Sequence, residues 1–122
     1  MSYEEKIQCI SLTADGDQSS NQYKFLKGDT TGVALQDSAG GACIGVLQNK
    51  PTDAKIAEVG IMGVSKVTAG AAVSLWDNVQ SDGAGRAITA ASGDYSQGIA
   101  LEAATAAGQI IAVLLRPQAQ LN

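Results

Sequence analysis

Few side chains in this 122-residue chain have the types and spacing for chemistry. Asp15 stands two positions from Asp17, and Asp77 stands near Asp82. Paired carboxylates can serve as general acid and base or hold calcium, but neither spacing is that of a calcium loop. Both pairs lie among Gly, Ser and Asn, so their expected role is to accept hydrogen bonds from turn backbone. Ser and Thr are plentiful, yet the chain contains no histidine to act as their base. Gly83-Ala84-Gly85-Arg86 has part of the glycine spacing of a phosphate loop. It lacks both the following Lys-Ser/Thr and a helix whose N-terminus would hold the anion, and it reads as a hairpin loop. No catalytic residue is assigned, and no enzymatic activity is expected.

Cys9 and Cys43 each fall inside a predicted strand. One disulfide between them is geometrically possible, and the expected state is two buried thiols in a reducing compartment. A metal site would need more ligands at tighter spacing, and no metal, cofactor or small-molecule substrate is expected. Asp53-Ala54-Lys55 on a hairpin shoulder resembles the lysine-bearing turn of lipoyl and biotinyl carrier domains. There the modified lysine directly follows Asp or Met, whereas here Ala54 intervenes. Trp76, the only tryptophan, closes a predicted strand before a polar loop. An indole there is either a core plug or an interface anchor.

The elements that must position these residues are strands. Lys6 to Ala14 alternates, with Ile7, Cys9 and Ser11 on one face and Gln8, Ile10 and Leu12 on the other. Both faces are partly apolar, so a two-sided cover is expected, one side of which another chain could supply. Further strands are expected at Tyr23 to Lys27, Val33 to Leu35, Cys43 to Leu47, Lys55 to Val67, Val73 to Trp76, Arg86 to Thr89, Gly98 to Glu102 and Ile110 to Leu115. Asp77 to Gly85 reads as a loop, and Pro51 bars a central strand at its position. A short helix at Glu102 to Ala107 is the one competing reading, on alanine propensity. In Lys55 to Val67 the set Ala57, Val59, Ile61, Gly63, Ser65 and Val67 forms one clean face, and Gly60 and Gly63 predict bends.

With a shift of about 53 positions, Gly45 falls on Gly98, Val46 on Ile99, Thr52 on Thr105 and Ala54 on Ala107. Two related hairpin units therefore make up most of the chain. The expected architecture is all-β, a small β-barrel or tulip-like sandwich with an extended N-terminal arm. Residues 1–20 hold the arm and first strand, and residues 21–122 the barrel.

Composition narrows the function. Apolar residues are 45% of the chain but aromatics only 4%, so the core is built of small aliphatic side chains. Such a core buries less area per residue and gains from a partner surface. The formal charge is −4, and the eight basic residues are scattered, which excludes the basic stripe that nucleic acid requires. There is no apolar run long enough to span a membrane and no secretory signal, so a cytosolic site of synthesis is expected.

The succession GVLQNKPTDAKIAEVGIMGVSKVTAGAAV, then a polar loop, then GDYSQGIALEAATAAGQIIAVLLRP resembles a family of small tailed-phage proteins, DUF2190. Some of its members are capsid decoration, or cement, proteins. The resemblance covers about Gln22 to Pro117 and implies a compact β-protein forming homotrimers at three-fold or quasi-three-fold points on the outside of the head. Its partner would be the major capsid protein, with no role for nucleic acid or membrane. In that setting the arm, Ser2 to Leu12, is expected to pair as an added strand or to lie along the capsid. Tyr3, Ile7, Ile10, Leu12 and Trp76 are the expected capsid or inter-subunit contacts. The alternative from another class is a phage-surface β-module that binds a receptor or carbohydrate.

Overall fold

The computed structural model describes residues 5–122, with side chains described from Ile7 onward. Over these residues the chain is all-β, and one antiparallel sheet curls into a half-barrel. The strands are β1 (Glu5–Thr13), β2 (Phe25–Gly28), β3 (Val33–Leu35), β4 (Gly45–Leu47), β5 (Ile56–Thr68), β6 (Asn78–Ser81), β7 (Ala87–Thr89), β8 (Tyr95–Ala100) and β9 (Ile110–Gln120). Their order is β3-β2-β4-β5-β9-β8-β6-β7, with β1 lying against β5.

That order reads the same from either end once β2 to β5 are matched with β6 to β9. The hydrogen bonds repeat as well. Ala14 donates to the Lys55 carbonyl at 2.9 Å, and Ala69 donates to the Gln109 carbonyl at 2.7 Å. Thr13 faces Ile56 across β1 and β5, while Thr68 faces Ile110 across β5 and β9. Strand β5 thus closes the first unit and opens the second. The turns match in conformation: Tyr23 with Trp76 (φ +65° and +74°), Gly40 with Gly93 (+74° and +88°), Ala54 with Gly108 (+65° and +92°). The last pair corrects the sequence alignment by one position, since Ala54 corresponds to Gly108 and not to Ala107. Sequence identity drew the match to an alanine, whereas the backbone requires equivalent left-handed residues.

The core is duplicated too. Leu12, Ala14, Leu26, Val33, Leu47, Ala57, Val59 and Ile61 form one cluster. They correspond in order to Val67, Ala69, Val79, Ala87, Ala100, Ile111, Val113 and Leu115 of the other. Where the first unit has Leu26, Val33 and Leu47, the second has the smaller Val79, Ala87 and Ala100. The same second cluster takes in Phe25 from the first unit, fully buried. The Phe25 N–H also donates to the Gly85 carbonyl at 2.7 Å, so this residue joins the two units. Close packing of this kind leaves little slack for a change in volume.

Several expectations are corrected. Val73 makes only an isolated bridge to Ala104, and Trp76 lies in a turn, so Val73 to Trp76 is not a strand. The strand lies instead at Asn78–Ser81, inside the segment read as a loop. There Val79 and Ser81 are fully buried and Gln80 nearly so, and buried polar residues disguised the alternation. The Gln80 amide oxygen accepts from the Ala91 N–H at 2.8 Å, which satisfies it inside. No helix forms at Glu102 to Ala107, where Ala104 bridges Val73. Strand β9 runs on past Pro117. Beyond Leu115 it pairs with β8 alone, and the register shifts between Ser96 and Gly98, so the missing proline donor is not needed. Cys9 is exposed and Cys43 buried, and no disulfide joins them. The face of β5 predicted to be clean is indeed inward, with Ala57, Val59, Ser65 and Val67 buried.

Candidate docking surface

The aspartates singled out by spacing serve the turns. The Asp82 carboxylate accepts from the Ala84 and Arg86 N–H groups, both at 2.8 Å, and from Arg86 Nε at 3.1 Å. That closes the Gly83-Ala84-Gly85-Arg86 hairpin around a carboxylate of its own. Asp77 Oδ2 accepts from the Ser74 N–H at 3.1 Å and the Thr89 hydroxyl at 2.9 Å. Asp17 accepts from the Ser19 N–H, which holds its carboxyl below the usual range. Asp53 Oδ1 accepts from the Gly16 N–H at 2.9 Å, tying the Asp53-Ala54-Lys55 shoulder to the opposite turn.

Cys43 is the one thiol within the core, and burial pushes it up to about 11, partly offset by the Gln36 amide. A thiol so protonated is no nucleophile at neutral pH. It borders a groove lined by Lys27, Gln36, Asp37, Ile44 and Gln118. The polar wall of this groove is internally satisfied. Gln36 Nε2 donates to the Ala42 carbonyl at 2.6 Å, and Gln118 Oε1 accepts from the Cys43 N–H and Gln97 Nε2, both at 3.0 Å. Lys27 and Asp37 pair at 3.0 Å on its rim.

Of the predicted contact residues, Tyr3 lies outside the described residues. The other members of the arm belong to strand β1, paired with β5 of the same chain. Ile7 packs toward Gly60, where a Cβ would lie 2.6 Å from Ile7 Cδ1. Leu12 packs on the first core cluster, and Ile10 is left partly exposed. These three are not gathered into one outward patch. Trp76 is different: it is 66% exposed at the tip of a turn, beside exposed Leu75. Of the two readings of the indole, the structure excludes the core plug. Sequence reasoning missed Leu75, Ile56 and Met62, which are also exposed. The last two were legible as the off-face parity of β5, whereas Leu75 required knowledge that its segment is a turn.

The curled sheet thus carries Leu75 and Trp76 exposed on one turn, and among the described residues no cluster of His, Cys, Asp or Glu could hold a metal ion. The family model that matches is that of the phage cement proteins, over residues 10–116. The chain belongs to that family. No curated protein matches it. Among solved structures it is similar to the head fiber gp8.5 N base of bacteriophage phi29. That match has a TM-score of 0.69 at 19% identity, covering 89% of this chain and 95% of that one. At that identity the likeness bears on the fold, and both proteins share the curled β architecture.

Proposed function

We propose that this protein is a non-enzymatic cement protein of a tailed-phage head. It binds the outer surface of the shell as a homotrimer at three-fold or quasi-three-fold sites and holds neighbouring major capsid proteins together. The observation that carries this reading is the match to the cement family across nearly the whole folded body, residues 10–116. Two features of the chain support it. The small-residue core gains from association, because a partner that binds only the folded state stabilises it by mass action. Three linked subunits engaging one site also turn a modest contact into a strong one.

The test is co-sedimentation with undecorated, expanded heads of the phage that encodes the protein, followed by heating of the decorated heads. Saturation at three copies per three-fold site, with heads that survive higher temperature, is the expected result. Absence of pelleting at all concentrations would refute the reading.

A further inference from the structure

The internal repeat supplies a template for what covers Trp76. Its counterpart Tyr23 sits in the same left-handed turn and donates to the end of β4 as Trp76 donates to the end of β8: Tyr23 N–H to Leu47 at 2.7 Å, Trp76 N–H to Ala100 at 2.9 Å. Tyr23 is covered by an extended segment, the end of β5. Lys66 Nζ stands 5.6 Å from the ring centroid, and the Thr68 N–H donates to the Tyr23 carbonyl at 2.8 Å. Trp76 has neither cover. Among the described residues nothing donates to its carbonyl, and two thirds of the residue faces solvent.

The segment of β9 that corresponds to Lys66–Thr68 is committed elsewhere. Gln120 pairs with Tyr95, and Leu121 exchanges backbone hydrogen bonds with Gly93 and Asp94. The residues flanking the ring have also changed in chemistry between the units. Lys24, after the tyrosine, becomes Asp77 after the tryptophan. Gln22, whose amide donates to the Gln48 carbonyl at 2.8 Å, becomes the exposed Leu75. The second site is therefore more apolar and more acidic than the first, in a chain of net charge −4. A bulky residue at positive φ carries a backbone cost that exposure does not offset, which is the pattern of a residue kept for a contact.

We propose that the Trp76 turn is the docking site for an extended, basic segment of the capsid shell protein. A Lys or Arg side chain lies over the indole, and a backbone N–H two residues on donates to the Trp76 carbonyl, as Lys66 and Thr68 do for Tyr23 within the chain. The carboxylate of Asp77 beside the ring, where the first unit has Lys24, is what matches a basic occupant at this turn. This inference rests on the cement reading above.

The test uses Trp76→Gly, because glycine adopts the +74° backbone freely and removes the ring without straining the turn. Wild-type and variant proteins are titrated onto undecorated, expanded heads, with urea melts and sedimentation velocity of the free proteins alongside. The expected result is an unchanged or higher urea midpoint and head binding weakened at least about 30-fold, as for a buried tryptophan anchor. Incorporated 5-fluorotryptophan should show its single resonance shift and lose solvent contact on the heads. Equal binding by Trp76→Gly while the wild type pellets would overturn the inference and leave the cement reading intact. Failure of the wild type to pellet would remove both. Self-association of the free wild type that Trp76→Gly abolishes would assign the site to a second copy and also overturn the proposal.

Discussion

Replacing Ala54 with glycine should stabilise this protein, and replacing Gly108 with alanine should destabilise it by a similar amount. The two residues occupy the same turn in the two units, at φ +65° and +92°. Both are exposed, and a Cβ built at Gly108 meets nothing within 4 Å, so packing drops out of the comparison. Each N–H makes the same hydrogen bond, Ala54 to the Ala14 carbonyl at 3.0 Å and Gly108 to the Ala69 carbonyl at 2.8 Å. What remains is the backbone. An L-residue in the left-handed region costs roughly 1–2 kcal/mol. Glycine gives back about 0.5–1 kcal/mol through its freer unfolded chain. The net expected change is about 0.5–1 kcal/mol, positive for Ala54→Gly and negative for Gly108→Ala. With a urea slope of about 1.5 kcal/mol per molar, the midpoints should move about 0.3–0.7 M in opposite directions. Carrying both changes, the double variant should return near wild type. A midpoint lowered by Ala54→Gly, or two shifts of the same sign, would refute the structural equivalence of the turns.

Four further predictions rest on the packing. Gly98→Ala should be severe, by about 3 kcal/mol or a fall in Tm of about 10 °C, because its Cβ would fall on the Leu114 carbonyl of the neighbouring strand. The matched Gly45→Ala should behave alike, since its Cβ would fall on the Gly60 carbonyl; a mild effect at either would show that β4 or β8 can shift. Burial raises the Cys43 thiol to about 11 from 9.0, so its contribution is fully present below pH 9 and is lost as pH rises through 11. The loss is on the order of 2 kcal/mol, and Cys43→Ser should flatten that alkaline limb of the stability curve; a limb that persists in the variant would assign the loss to other groups. In native protein a thiol reagent should label exposed Cys9 and spare Cys43 until unfolding, and rapid labelling of both would contradict the burial. Deleting residues 1–12 should lower the urea midpoint, because it strips β1 from β5 and removes Leu12 from the first core cluster. That makes the deletion a test of stability rather than of docking alone, and an unchanged midpoint would show β1 to be an appendage.

The all-β class, most of the strands and the existence of two related units were legible in the residue pattern alone. These are local properties: alternation in β5, glycine punctuation, and the paired Gly45 and Gly98, both placed where a neighbouring carbonyl leaves no room for a side chain. It also ruled in the turn roles of Asp77 and Asp82, because an aspartate among turn residues meets backbone N–H groups wherever the chain bends. That β5 serves both units and that Phe25 of the first fills the core of the second depended on contacts between residues far apart in the chain. The strand predicted at Lys6 to Ala14 likewise found its partner only in the fold, where β1 pairs with β5 of its own chain. The strand β6 was hidden because its buried Gln80 and Ser81 read as loop residues, whereas in the fold Gln80 Oε1 accepts from the Ala91 N–H and the Ser81 hydroxyl donates to the adjacent Asp82 carbonyl. For Trp76 the linear pattern left core plug and interface anchor both open, and the left-handed turn together with the diversion of β9 toward β8 leaves its indole facing solvent.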